Sequence, residues 1–166
     1  PDMRKMKVDK LGIDLLTHYP VVILKDSDGK RYLPILIGPF EATAIALALE
    51  GTQVPRPLSH DLMKSIIESL SAKVLRIIIH DIHDNTFFAK VVLEAGSGEL
   101  EIDARPSDSI ALALRTNSPI FVSERIILEE TVVDKSAEEQ DVKKFKRYID
   151  NLKPADFLKG KDDKKQ

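Results

Sequence analysis

The chain has 166 residues and a mass of 18.6 kDa, a length that fits one domain with a small appendage. It contains no cysteine, which excludes disulfides, thiolate metal sites and cysteine nucleophiles. Six Phe and three Tyr, with no Trp, leave few rings for stacking on nucleic-acid bases, and the net charge of −2 lacks the basic excess of a dedicated nucleic-acid binder.

The charge is unevenly distributed along the chain. Ten of the 25 Lys and Arg residues and eight of the 27 Asp and Glu residues follow residue 133, which leaves 15 against 19 and a net charge of −4 for residues 1–133. A polyanion site must therefore be a local patch that acts against the overall field. No run approaches the ~20 apolar residues of a membrane span, and the start lacks a signal peptide's apolar stretch, so we expect a cytoplasmic protein without a membrane partner.

The first third of the chain predicts a hairpin followed by a helix. Residues 1–7 are predicted to be disordered or foreign to the natural chain. Residues 21–24 and 31–37 predict two strands joined by an Asp-Ser-Asp-Gly turn. Pro34 cannot donate to a ladder, so the second strand is expected either at an edge of the sheet or with a local irregularity at this residue. A helix over residues 41–50 follows.

A second helix is predicted after an extended, proline-containing loop. Ser59 is the expected N-cap, and the helix runs to about residue 71. Five apolar residues follow the spacing of a single buried helix face: Leu62, Met63, Ile66, Ile67 and Leu70.

The remaining pattern predicts, in order, strands over residues 74–82, 87–93 and 99–103, a helix over 107–116 and a strand over 119–122. Residues 124–133 fit either a helix or a strand. Ser136 and Glu139 form a capping box that opens an amphipathic helix within residues 134–158. The charged tail over residues 159–166 is predicted to be disordered.

The pentapeptide Ile-Ala-Leu-Ala-Leu occurs at residues 45–49 and again at 110–114, and each copy follows a similar hairpin. We interpret this as a duplicated β-hairpin–helix unit over about residues 21–51 and 88–117. The predicted fold is an α+β domain over residues 8–133, with mixed sheet packed by buried Ala/Leu-rich helices. These helices either pack on each other about a pseudo-twofold axis, pack across a subunit interface, or simply cover a sheet.

Two similar polar clusters precede predicted helices. The first is Arg-Pro-Leu-Ser-His-Asp at residues 56–61, in which Arg56 is a candidate phosphate ligand and His60 a candidate proton carrier. Asp61 is a further candidate, although an N-cap and a helix-dipole interaction explain Ser59 and Asp61 equally well.

The second cluster is Asp-Ala-Arg-Pro-Ser-Asp at residues 103–108. Arg105 and Ser107 are candidate phosphate ligands, and Asp103 and Asp108 are candidate ligands of a hard divalent cation. A structural Arg–Asp pair is the competing interpretation. Glu41 begins the first repeated helix where Asp108 begins the second, so we expect their carboxylates to converge if the repeats face each other.

Several separated motifs, taken in order, resemble one family: LPILIG at 33–38, RPLSHDL at 56–62, DNTFFA at 84–89, DARPSDSIALA at 103–113 and Pro-Ile at 119–120. Together they resemble the bifunctional nuclease domain family, with Ser59 and Ser109 as mild departures. The resemblance implies an α+β domain that is often oligomeric, with nuclease activity on both RNA and DNA attributed to some members.

Two functions remain open from the sequence. In the first, the protein is a nuclease: Arg56, Arg105 and Ser107 bind phosphate, Glu41, Asp61, Asp103 and Asp108 hold Mg²⁺ or Mn²⁺, and Glu41, His60, Asp61 and Asp108 carry catalysis on RNA or DNA. A cleft lined by both Arg-Pro loops is expected in that case. In the second, the protein is a non-catalytic homo-oligomeric binding or regulatory module whose charged clusters are structural.

Overall fold

The structure is a computed structural model that describes residues 2–133, so the helix predicted within 134–158 and the tail predicted over 159–166 lie outside the described residues. The strands are β1 Met3–Ile13, β2 Pro20–Asp26, β3 Arg31–Leu36, β4 Lys73–His83, β5 Thr86–Ala95, β6 Gly98–Ala104, β7 Ile120–Ser123 and β8 Val132–Val133. The helices are α1 Pro39–Glu50, α2 Ser59–Ser69, α3 Pro106–Thr116 and α4 Glu124–Glu130.

All eight strands form one mixed sheet in the order β6-β5-β4-β7-β1-β2-β3-β8. Its neighbouring strands are antiparallel except for β4 and β7, which are parallel. The predicted α+β class with a mixed sheet is confirmed.

Strand β1 lies near the centre of the sheet, where it pairs with both β2 and β7. The prediction of a disordered start is therefore wrong for residues 3–7. Met6 is buried between the exposed Lys5 and Lys7. This alternation places one apolar residue on the core face among charged residues, so the segment reads as polar although each of its residues pairs with a neighbouring strand.

Strand β8 lies outside β3, so the prediction that this strand forms the sheet edge is wrong, although Pro34 itself lies where β3 is uncovered within residues 2–133. β3 pairs with β2 along its length, but β8 reaches only Arg31 and Tyr32 on its outer side. Pro34 pairs with Ile23 of β2 beyond that point, so its missing N–H leaves no outer ladder bond unmade.

The two Ala/Leu-rich helices, α1 and α3, pack against each other. Ala42, Ala46, Ala111 and Ala113 are almost wholly buried, and their small side chains allow the close approach of the two backbones. A run of three strands followed by a helix occurs twice, as β1-β2-β3-α1 and as β4-β5-β6 with α3. That these units arose by duplication stays a prediction.

Helix α2 has its apolar face in solvent, so the prediction of a buried face is wrong. It begins with Leu58, not Ser59, as N-cap and packs on α3 and β4. His60 is its one buried residue and Ile67 is partly buried. The α2 apolar row is exposed and consists of Leu62, Met63, Ile66 and Leu70, which are between 39% and 75% accessible.

The ambiguous segment over residues 124–133 contains both structures in succession. Helix α4 follows the N-cap Ser123 and buries Ile126 and Ile127, and the chain then turns into β8. Within residues 2–133, no helix is long and apolar enough to span a bilayer.

Candidate functional site

Arg105, at the start of α3, joins two carboxylates from two helices. Its Nη2 lies 2.9 Å from Glu41 Oε1 and 2.7 Å from Asp108 Oδ2, and its Nε donates to the same Asp108 oxygen at 2.8 Å. Asp108 and, to a smaller extent, Glu41 raise the pKa of Arg105. The carboxylates of Glu41 and Asp108 therefore converge on one permanently charged guanidinium.

His60 contacts the same cluster from α2. Its Nε2 lies 2.9 Å from Asp108 Oδ1, and its side chain is only 7% exposed. Asp108 therefore uses one oxygen for the imidazole and the other for Arg105. We call Glu41, His60, Arg105, Ser107 and Asp108 the Arg105 site.

Gly38 makes room for Glu41, a role that the sequence did not reveal. A Cβ atom at Gly38 would lie 2.3 Å from Glu41 Oε2, far inside contact distance. The backbone of Gly38 has φ −77° and ψ 159°, which any residue adopts. Glycine is therefore needed here for space and not for backbone freedom.

The Arg105 cleft is a cavity of 410 Å³ beside this cluster, lined by Tyr19 and by residues 35–38, 85–87 and 105–107. Ser107 is 6% exposed and lines the cleft, and its hydroxyl has no hydrogen-bond partner within the described residues. No buried side-chain oxygen or nitrogen among the described residues lacks a partner, so the Ser107 hydroxyl reaches the solvent in the cleft. It is a ready hydrogen-bonding group for a molecule bound in the cleft.

Asp61 takes part in a separate ion pair at the other end of α3. Its Oδ1 lies 2.8 Å from Arg115 Nε, and its Oδ2 accepts the Leu58 N–H at 3.0 Å. Arg115 also donates to the carbonyl oxygens of Ala44 and Ala111, each at 3.0 Å, and its side chain is only 9% exposed. The Leu58 N–H and then Arg115 hold the pKa of Asp61 below its usual range. This network ties α2 to α3 and α1.

Arg115 was not among the site residues predicted from the sequence. The available signal was a lone arginine in the last turn of a helix that is otherwise apolar, Ile-Ala-Leu-Ala-Leu-Arg. Nothing in the sequence pairs it with Asp61, because the two residues are 54 positions apart.

The other predicted site residues lie apart from the cluster. Arg56 is exposed and makes no hydrogen bond or ion pair with residues 2–133. Its loop lines a different cavity, of 470 Å³, through Pro57 and together with Asp61 and Arg115. The expectation that both Arg-Pro loops line one cleft is therefore wrong. Asp103 is exposed on β6, opposite Lys90 of β5.

The four carboxylates predicted as metal ligands do not form one cluster. Among residues 2–133, no three His, Asp or Glu side chains are grouped so as to hold a metal ion. Glu41 and Asp108 alone of the four are brought together, through Arg105. Two hard oxygen donors fit Mg²⁺ only in the common arrangement in which substrate phosphate oxygens and water complete the shell.

Comparison with known proteins finds one matching family model, a similar uncharacterised bacterial protein and more distant plant proteins. A family model described as the bifunctional nuclease domain matches residues 22–135. An uncharacterised protein of Mycobacterium tuberculosis is 37% identical over 164 residues, which cover 93% of this chain and 98% of that protein. Helix α1, helix α3 and the whole Arg105 site lie inside the family match.

Plant proteins are more distant relatives. Bifunctional nuclease 1 of Oryza sativa subsp. japonica is 26% identical over 116 residues, covering 68% of this chain and 35% of the rice protein. Bifunctional nuclease 1 of Arabidopsis thaliana is 27% identical over 109 residues, covering 63% of this chain and 34% of that protein. The chain thus spans about a third of each plant nuclease.

The contact between Gly38 and Glu41 predicts a selective effect of Gly38→Ala. The new methyl group displaces the Glu41 carboxylate from Arg105, because the two cannot occupy the same space. We expect the NMR resonances of the Arg105 guanidinium to shift while the melting temperature changes little. Gly98→Ala is the matched control, since no atom lies within 4 Å of its Cβ position. An unchanged Arg105 resonance in Gly38→Ala would contradict this geometry.

The lowered pKa of Asp61 predicts a pH-dependent effect of Asp61→Ala. An ionised carboxylate with a lowered folded-state pKa stabilises the fold above its ordinary pKa of 3.8, and this contribution is lost as the pH falls through the folded value. We expect Asp61→Ala to lower the free energy of unfolding by about 2 kcal/mol at pH 7, since Arg115 loses its partner. Urea denaturation should show that the difference in free energy of unfolding between wild type and Asp61→Ala becomes smaller below pH 4. The exposed control Glu68→Ala should change stability by less than about 0.5 kcal/mol.

Proposed function

The chain belongs to the bifunctional nuclease domain family, and from that premise we propose that it hydrolyses phosphodiester bonds of RNA, DNA or both at the Arg105 site. The observation that carries the proposal is the guanidinium shared by Glu41 and Asp108 at the edge of the Arg105 cleft. Phosphoester hydrolysis needs a cation for the phosphate and a base for the water, and this cluster contains both kinds of group.

Arg105 and Ser107 are proposed to bind the scissile phosphate. The Arg105 side chain is 66% exposed although two carboxylates contact it, so part of its fork of donors still faces solvent. The partnerless hydroxyl of Ser107 lies along the same cleft and can donate to a phosphate oxygen. Arg105 stands against two carboxylates here and the segment up to residue 133 has a net charge of −4, so binding of a polyanion at this site depends on the solvent-facing donors of Arg105 and on an added cation.

Glu41 is proposed as the general base. In this step Glu41 takes a proton from the attacking water, the water oxygen bonds to phosphorus, and the bond from phosphorus to the leaving sugar oxygen breaks. The leaving oxygen takes its proton from solvent. Asp108 holds Arg105 in position, and buried His60 acts through Asp108 as a positioning residue.

A divalent cation, Mg²⁺ or Mn²⁺, is part of the proposal. Glu41 and Asp108 are the residues that would hold it, through carboxylate lone pairs that Arg105 and His60 leave open, together with oxygens of the substrate phosphate. When bound, it supplies positive charge to the phosphate. Asp61 is committed to Arg115, and Asp103 lies on β6, so neither belongs to this proposed pair. Arg56 stays a predicted phosphate contact for a longer substrate.

A nuclease assay on highly purified protein tests the proposal. Single-stranded RNA and DNA are incubated with wild type, Glu41→Gln, Asp108→Asn and Arg105→Ala, with Mg²⁺ and with EDTA. We expect each variant to lose about 10²–10³-fold in rate, as for removal of a group that stabilises transition-state charge.

Arg76→Ala is the matched control for this assay, because Arg76 forms an exposed ion pair with Glu99 on the β4–β6 side of the sheet. Its rate should equal that of wild type. Equal activity in wild type and in all three site variants would locate the hydrolysis in a contaminant or at a different site. Nuclease activity that persists in EDTA would show that the hydrolysis does not need a divalent cation.

We propose further that the chain forms homo-oligomers through the α2 apolar row. All four side chains of this row are at least 39% exposed, and a contiguous exposed apolar patch on a monomer is often functional. A twofold axis packs a surface against its own copy. A second copy of α2 therefore fits as the occupant.

Ile66→Glu tests this interface. A charge at the centre of the row must be desolvated on association, so we expect the variant to run as a monomer in light scattering coupled to size exclusion, where wild type is oligomeric. Leu128→Glu introduces the same change at an exposed position on α4 and should leave the oligomer intact. A monomeric wild type, or an oligomer unaffected by Ile66→Glu, would overturn the interface.

A further inference from the structure

We infer that the Arg105 cleft is a nucleobase subsite, which takes one unpaired base of a single-stranded nucleic acid whose phosphate lies on Arg105. This inference rests on the proposed function and names its substrate class. The cleft volume of 410 Å³ lies in the lower part of the range for small-molecule sites, a size for one nucleotide and not for a duplex.

Tyr19 is the ring that faces such a base. Its side chain lies at the cleft and is 56% exposed, so a ring face is available for stacking. Phe87 and the exposed Leu36 add apolar surface from two other segments of the same cleft. Rings are scarce in this chain, yet this one lies in the cavity that also contains Arg105. Stacking on one ring beside a bound phosphate is a common mode of single-strand binding.

The turn that carries Tyr19 is ordered by its own hydrogen bonds. Asp14 Oδ2 accepts the backbone N–H of Thr17 at 2.9 Å and its hydroxyl at 2.7 Å, and the Asp14 N–H donates to the Tyr19 carbonyl at 2.8 Å. Pro20, the next residue, accepts the Ile37 N–H at 3.0 Å, which fixes the turn to the end of β3. The backbone of Tyr19 is therefore fixed before any ligand arrives, which lowers the ordering entropy lost by this turn on binding.

Asn85 provides polar contacts without selecting one base. It lies with Asp84 in the β4–β5 turn, at φ 61° and 50° respectively, and it lines the cleft. Its side-chain amide makes no hydrogen bond with the described residues. An amide both donates and accepts, so it can pair with the edge of any base. A base that is stacked and paired in a duplex cannot enter such a cleft without being flipped out.

Ligand-binding measurements separate the contribution of the base to affinity from that of the phosphate. The dissociation constants of adenosine 5′-monophosphate, uridine 5′-monophosphate and ribose 5-phosphate are measured by calorimetry with wild type, Tyr19→Phe, Tyr19→Ala and Leu16→Ala. We expect Tyr19→Ala to weaken both nucleotides about tenfold and to leave ribose 5-phosphate unchanged, while Tyr19→Phe binds as wild type does. Leu16→Ala is the control, since Leu16 is 90% exposed in the same turn and does not line the cleft.

The same variants distinguish failure of the subsite from failure of the nuclease. Nucleotide binding that depends on Tyr19, with no hydrolysis of any polymer, supports the subsite and overturns the nuclease. A second outcome is hydrolysis that depends on Arg105, with the same preference for single strands in wild type and in Tyr19→Ala. That outcome overturns the subsite and supports the nuclease. Equal binding of nucleotides and ribose 5-phosphate by wild type also overturns the subsite.

Discussion

The geometry of the helical layer depends on one guanidinium. Arg105 contacts Glu41 of α1 and Asp108 of α3, and through Asp108 it is linked to His60 of α2. Two carboxylates on adjacent helices would repel each other, and a positive charge between them changes that repulsion into attraction. Three helices are therefore joined at one point, and the Arg105 cleft opens beside it.

Helix α3 is held at both of its ends by arginines. Arg105 acts at the N-terminal end, while Arg115 joins Asp61 and the Ala44 carbonyl at the C-terminal end. Between them lies a run of buried small and branched residues that packs on α1 and on the sheet. The two networks differ in exposure, since the Arg115 side chain is 9% accessible and that of Arg105 is 66% accessible. The exposed network is suited to binding a ligand, whereas the buried one is suited to holding the fold.

This arrangement also resolves an apparent conflict in charge. The segment up to residue 133 is acidic overall, yet the proposed substrate is a polyanion. At the Arg105 site one guanidinium is shared by two carboxylates, but part of it faces solvent beside the cleft, and the proposed divalent cation would add positive charge for the phosphate. A single stacked base and a single phosphate require only such a local environment, and the scarcity of rings elsewhere is compatible with it.

The sequence by itself determined the α+β class, most strands and helices, and the residue types of the site. These follow from local periodicity, turn residues and motifs that agree with their neighbours along the chain. It missed β1, where Met6, Val8 and Leu11 mark the core face among charged residues, and it placed the α2 apolar row in the core. Periodicity reports that a face is apolar, but it does not report what covers that face.

Only the tertiary structure decided which charges meet. Asp61 and Asp108 look alike in sequence, since each follows an Arg-Pro pair at a helix start, yet one pairs with the buried Arg115 and the other with the exposed Arg105. The space that Gly38 leaves for Glu41 and the position of Tyr19 beside Arg105 were equally invisible. Contacts between residues so distant in the chain depend on how the helices pack on the sheet, and no local pattern encodes that packing.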